Sequence, residues 1–335
     1  MAAGNGAYSG TAQNLGNSIA NVTEYLTSKM DELIVQESKT AGMVADPALV
    51  QALGRSGSIK VATMETTGLG NYDKVLGYPR GGAKLTWQTL QCTHDRAISV
   101  TVDRRDTLET SGMVTAAAVM ANEMREQVIP EVDATRFADL YAALYAQNSA
   151  NSNVVAEAQP TKANIAGKLI EAIDSVSNVT GDEENMTLYV NATLKPLVDT
   201  ATEITLSREI NAQGTTVETR KRTFNGVPVV FVPAARMNTT ITLKDGFTNA
   251  LSTAGDLDTQ DPTKYGFAAG ALPIWFTVLG RGVANGVTVI NQPKIITADV
   301  NQQYDGDTFM YRIFHDLIVP KNKCAAAYMS VKTSG

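Results

Sequence analysis

Two histidines, His94 and His315, and two cysteines, Cys92 and Cys324, are all that the 335 residues offer as imidazole or thiol. They fall in two short runs, "CTHD" at 92–95 and "FHDLIVPKNKC" at 314–324. United, the runs would supply a two-Cys, two-His set. Structural zinc ligands usually come as close CxxC-type pairs, however, and C-x-H lacks that spacing. No metal site is expected. A Ser or Cys triad needs a histidine with both a nucleophile and an orienting acid in reach. His315 and Asp316 are adjacent in a strand-like run, where neighbours point to opposite faces. The G-x-S-x-G elbow of an α/β hydrolase is also missing.

Two glycine-rich stretches approach phosphate-binding loops and fall short. "GYPRGGAK" (Gly77 to Lys84) is followed by Leu85, where a Walker loop places the hydroxyl that holds magnesium. "GRGVANG" has Asn285 where a dinucleotide loop needs its third glycine. Both are expected to be turns. "TRKR" at 219–222 is expected to be a solvated strand end or loop, with a contact to nucleic acid or an acidic neighbour as the alternative.

The densest set of charges is "EMREQVIPEVDATRFADLYAAL", Glu123 to Leu144. Pro130 suits the first turn of a helix, where its missing N–H has no partner to lose. Asp133, Arg136 and Asp139 then stand at i, i+3 and i+6, an ion-pair ladder down one side. Phe137, Leu140, Tyr141 and Leu144 line another side. With no histidine, cysteine or second acid cluster close by, this segment is expected to be scaffold. Catalytic, cofactor-binding and metal-ligating residues are all expected to be none.

The elements that carry these residues follow from periodicity. From Ser18 to Thr40, apolar residues recur at helical spacing, and Gly42 stops the helix. "GGAKLTWQTLQCTHDRAISVTVD" suggests a hairpin: Leu85, Trp87 and Thr89 share one face, and Ile98, Val100 and Val102 alternate with polar residues. "CTHD" can turn between arms of roughly 25 Å, at about 3.3 Å per residue. A lone two-stranded ribbon is marginal in water, so it must lie on its own domain or on another subunit. Its tip, with Trp87, Leu90, His94 and Arg96, is the expected inter-subunit contact. A helix begins near Asp106, which with Glu109 makes a capping box, and runs as a rod of roughly 34 Å at 1.5 Å per residue. An α/β stretch follows: a helix carrying Ile165, Leu169, Ile173 and Val176, the strand "MTLYVN", a short helix and the strand "FNGVPVVFVP". The remainder is strand-rich, and no solenoid-period repeat occurs.

Composition bounds the rest. A hydrophobic content of 44% is that of a globular protein, and a net charge of −6 with pI near 5.1 argues against broad adhesion to nucleic acid or acidic membrane. No apolar run reaches the ~18 residues of a spanning helix. The first residues show no secretory signal, so reduced thiols in a cytoplasmic product are expected.

In order, "DRAISVTVDRRDTLET", a long helix, "VIPEVDATRFADLYA", an α/β insertion and "VNQQYDGDTFMYRIFHDLIVPKNKCAAAY" resemble the major capsid proteins of tailed bacteriophages, with the Hong Kong 97-like α+β fold. The likeness covers residues 17–145 and 270–330, and the middle follows the family in pattern only. It implies an N-terminal arm at 1–55, an E-loop hairpin at 56–105, and a spine helix with the first part of the peripheral domain at 106–159. An axial domain would occupy 160–265, and returning peripheral strands 266–335. It further implies a non-enzymatic chain without cofactor that self-assembles as hexamers and pentamers into an icosahedral head shell. That shell would enclose double-stranded DNA without sequence-specific binding. The implied partners are a portal, decoration proteins and a separate scaffold, since no room remains for a long N-terminal scaffolding segment; no membrane is involved. The implied location is the virion, with assembly in the host cytoplasm. An encapsulin-like nanocompartment shell shares the fold and is the alternative.

Overall fold

The computed structural model describes residues 37–43, 58–74, 78, 80–109, 116–151, 153–181, 185–200, 204–210, 216–244, 246, 265–270, 272–302 and 305–333. The helix expected from Ser18 lies outside them except for its end, where Glu37 is helical and residues 39–42 turn. The first strands are β1 (Ser58–Thr66), β2 (Ala83–Gln91) and β3 (His94–Asp103). The hairpin expected between β2 and β3 is not formed. Its arms are β1 and β2, antiparallel from Ser58↔Gln91 to Thr66↔Ala83. The tip is therefore residues 67–82, closed by Thr67 N–H to the Gly82 carbonyl at 3.1 Å and Gly82 N–H to Thr67 Oγ1 at 2.8 Å. Leu90, His94 and Arg96 stand at or beyond the hairpin's base, not at its tip. A period-2 pattern states which face a strand buries but not which strand it pairs with, and "SIKVATMET" fits β2 as well as β3 does.

Helix appears at α1 (Arg104–Glu109), α2 (Ala116–Glu123) and α3 (Ile129–Asn151). Residues 110–115 of the expected rod are outside the described residues, and a π-helical segment, Met124–Val128, precedes α3. That wider turn lets Pro130 fall in the first turn of α3, where it removes no helical hydrogen bond. Asp103 rather than Asp106 caps α1: its Oδ1 accepts from Arg105 N–H at 2.7 Å, while Glu109 pairs with Arg105 at 2.8 Å.

The chain continues through β4 (Val154–Glu157), α4 (Ile165–Thr180), β5 (Thr187–Asn191), α5 (Lys195–Val198), β6 (Ile204–Ile210), β7 (Thr216–Phe224) and β8 (Val227–Val232). It ends with β9 (Ile241–Leu243), β10 (Phe267–Ala269), β11 (Ile274–Leu279), β12 (Asn285–Ile296), β13 (Gly306–Ile318) and β14 (Ala327–Lys332). The described residues form two units. The first takes in Glu37, Asp95–Glu126 and Ile290–Ile313, and the second takes in Ser38–His94, Gln127–Val289 and 314–333.

In the second unit a seven-stranded sheet has the order β4-β14-β11-β5-β8-β7-β6. Along β5, Leu188 and Val190 belong to one apolar cluster and Tyr189 to the other, so alternation gives the sheet two buried faces. Ile165, Leu169, Ile173 and Val176 of α4 cover one face, each almost wholly buried. Phe137, Leu140 and Leu144 of α3 belong to the other cluster, Phe137 edge-on to Tyr189 at 5.7 Å. Asn225 (φ 48°) and Gly226 (φ 82°) make the tight β7–β8 turn, a left-handed pair that Asn-Gly tolerates best. The strand order β12-β13-β3 makes a three-stranded sheet. Within the first unit, Thr101 bonds Thr308 at 3.0 Å and Arg104 pairs with Asp299 at 2.7 Å. Ile98, Val100 and Val102 turn to the covered side of β3, as their alternation predicts.

Candidate functional site

Asp133, Arg136 and Asp139 of α3 do not form a ladder. Asp133 is fully buried and works as a hub: it accepts from Ser38 Oγ at 2.6 Å, Thr40 Oγ1 at 2.7 Å, Lys39 N–H at 3.0 Å and Thr40 N–H at 3.2 Å. Arg236 closes the shell at 3.1 Å. Arg136 turns instead to Thr40, donating to its Oγ1 at 2.9 Å and its carbonyl at 3.3 Å. Desolvation by burial lowers the guanidinium's pKa from the usual value. Gly286 is what lets the chain pass over that group, since a Cβ there would stand 2.8 Å from Arg136 Cζ and 2.6 Å from the Met43 carbonyl. The i, i+3, i+6 spacing failed as a guide because buried charges find hydrogen-bond donors in other segments rather than weak helical neighbours.

Asp139 takes a different partner, and it is a histidine. His94 Nε2 lies 3.2 Å from Asp139 Oδ2, and Asp316 joins them so that the ligand atoms all lie within 4.8 Å of one another. The expectation that no histidine approaches this helix was wrong. "CTHD" and "FHD" do meet: Thr93 N–H and Oγ1 donate to Asp316 Oδ2 at 2.8 and 3.0 Å, and the His94 and His315 rings stack at 5.8 Å. The Asp139 carboxylate beside it raises the His94 pKa, and burial raises that of Asp316. Burial, with Asp316 nearby, pushes the Cys92 thiol up to about 11, so it is no thiolate at neutral pH. Cys324 sits in the large apolar cluster with its Sγ on the Pro320 carbonyl. Among the described residues, the cluster of possible ligand atoms around His94 contains neither cysteine.

The hairpin's two ends differ. At its base Leu90 and Cys92 pack on Val287 and Ile318, and Gln88 accepts from Lys321 N–H at 3.1 Å. Towards the tip the apolar residues lie open: Leu69 at 107%, Tyr78 at 86%, Met64 at 67% and Trp87 at 61% exposure. Met64 faces Leu85 across the ladder, and Tyr72 and Tyr78 rings meet at 5.1 Å. Of the four residues expected to meet a neighbour, Trp87 alone is broadly exposed; Leu90, His94 and Arg96 are half-buried.

Among the described helices none is long and apolar enough to cross a membrane. No protein-family model matches the chain, and no curated protein sequence does either. Solved structures do. A chain of the cyanophage P-SCSP1u capsid aligns with a TM-score of 0.54 at 12% identity, over 84% of this chain and 85% of that one. One from Mycobacterium phage Che8 aligns with a TM-score of 0.52 at 13% identity, over 87% and 89%. A virus-like particle from Pyrococcus furiosus aligns with a TM-score of 0.51 at 10% identity, over 92% and 98%. The fold of this chain is α+β and Hong Kong 97-like.

Proposed function

We propose that the chain is the major capsid protein of a tailed bacteriophage, a structural rather than catalytic subunit that self-assembles into a closed shell. The observation that carries this reading is the likeness, over most of both chains, to a cyanophage capsid subunit. The open hairpin supports it. Burying an exposed Trp, Tyr, Leu or Met contributes roughly 1.5–3 kcal/mol, and a two-stranded ribbon cannot supply that cover itself. A neighbouring copy can, through heterologous contacts that close into hexamers and pentamers. The β1–β2 hairpin at 58–91 serves as the E-loop, and the contact falls on Met64, Leu85, Trp87 and the tip rather than on Leu90, His94 or Arg96. Double-stranded DNA is enclosed without base-specific contacts, and the portal, scaffold and decoration proteins complete the head in the host cytoplasm.

The likeness to the Pyrococcus particle supports a second reading, a nanocompartment shell. Expression of the full chain followed by electron microscopy tests both. Closed isometric shells are expected from the purified protein or its co-expression with a scaffold. A uniformly monomeric protein under both conditions would overturn the shell reading. Particles from infected cells that carry DNA support the capsid, and particles filled with a cargo enzyme and free of DNA support the compartment.

A further inference from the structure

The His94–Asp139–Asp316 group draws on three segments that the sequence keeps apart: the β2–β3 junction, the middle of α3, and β13. Two carboxylates in a partly desolvated place repel unless a positive partner joins them. Asp316 is already oriented, its Oδ2 by Thr93 N–H and Oγ1 and its Oδ1 by Leu317 N–H at 2.6 Å. Donors of this kind fix the carboxylates of metal sites from outside the first layer of ligands. Asp139 Oδ2 is shut off from solvent and receives no well-directed hydrogen bond, though His94 Nε2 stands 3.2 Å away. That separation matches two ligands sharing one ion, since bonds of about 2.1 Å place neighbouring ligands roughly 3.0–3.4 Å apart. We propose that His94 Nε2, Asp139 and Asp316 form a binding site for a divalent transition cation, zinc above all, with water filling the remaining position. One imidazole and two carboxylates suit zinc or manganese rather than a soft copper(I) ion. Bound there, the ion ties the base of the hairpin to α3 and to β13. The site does not depend on the shell reading, because all its ligands come from one chain.

The test uses the full chain stripped with EDTA and titrated with zinc chloride, followed by calorimetry and by thermal unfolding. Cobalt(II) serves as the spectroscopic probe. One saturable site per chain is expected, with an unfolding temperature that rises in zinc and falls back with chelator. Asp139→Asn and His94→Gln should each weaken zinc at least about 100-fold, since each removes a ligand outright, while zinc-free circular dichroism stays that of the parent. Cys92→Ser should bind zinc as the parent does. No saturable binding of zinc, cobalt or manganese would overturn the proposal. So would binding that survives both ligand substitutions or is lost in Cys92→Ser. If Asp139→Asn destabilises the zinc-free chain while zinc adds nothing to the parent, the group is a protonated ion pair and the proposal fails.

Discussion

The outer hairpin and the Asp133 hub solve opposite problems. The Asp133 charge is met from within the chain: five donors from two segments, residues 38–40 and Arg236, converge on one carboxylate that has no exposure to solvent. On the hairpin, Met64, Leu69, Tyr72, Tyr78, Leu85 and Trp87 face outward. A buried carboxylate left unpaired is so costly that the fold must complete it before anything else happens. Exposed apolar surface costs far less and can wait for a partner. The hub therefore marks what the subunit needs to be itself, and the hairpin marks what it needs from a neighbour.

The sharpest way to break this contrast is Asp133→Ala. It leaves Arg236 and Arg136 without their counter-charge and Ser38 and Thr40 without their acceptor. Breaking a buried pair by removing one partner costs about 3–5 kcal/mol, a large share of the ~5–15 kcal/mol that holds a typical domain. Urea denaturation of the purified chain should show a loss of that size or insoluble protein. A midpoint equal to the parent's would mean that the 38–40 segment finds other partners and the hub is dispensable.

The second test separates folding from assembly. Leu85→Glu with Trp87→Glu places two charges on the open face of β2 without touching the buried base at Leu90. Surface changes of this kind usually stay within ~0.5 kcal/mol, so the urea midpoint should hold. Assembled particles, counted by sedimentation, should be lost or sharply reduced. Shells of normal yield and heat resistance would place the contact elsewhere on the subunit.

What was legible in the sequence follows the range of the interactions involved. The face of α4 was readable because Ile165, Leu169, Ile173 and Val176 encode it at 3.6-residue spacing, and the covered side of β3 because Ile98, Val100 and Val102 encode it at two. The partner of β2 was not, because Leu85 and Trp87 alternate equally well against β1 or β3, and "CTHD" has the composition of a turn. The histidine–aspartate group was invisible for the same reason: Thr93 and Asp316 meet across 223 residues, a distance no local pattern spans. The Asp133 ladder failed in the most instructive way. Its spacing was real, but burial outweighed the few tenths of a kcal/mol that helical ion pairs contribute.

The smallest effect belongs to the opposite extreme from the hub, a salt bridge left in water. In the first unit Arg312 grips Asp95 with both arms, Nε to Oδ1 at 2.9 Å and Nη2 to Oδ2 at 2.6 Å, and both side chains are about half exposed. The Arg312 hydrogen bond holds the Asp95 carboxyl below its usual pKa. A carboxyl depressed by folding contributes stability that is fully present above its unfolded pKa, about 3.9. That contribution fades as pH falls through the lower folded value, because the unfolded chain takes up the proton first. Asp95→Asn should therefore lower the unfolding midpoint slightly at pH 7 and leave it matching the parent once the pH has fallen through the depressed folded-state pKa. In 1 M salt, where the screening length is about 3 Å, the difference at pH 7 should shrink too. The same salt comparison on Asp133→Asn sharpens the contrast, since a buried hub is screened far less by salt. A large, salt-insensitive penalty at Asp95 would mean that the pair is covered in solution, and the place to look for its cover would be another copy of the chain.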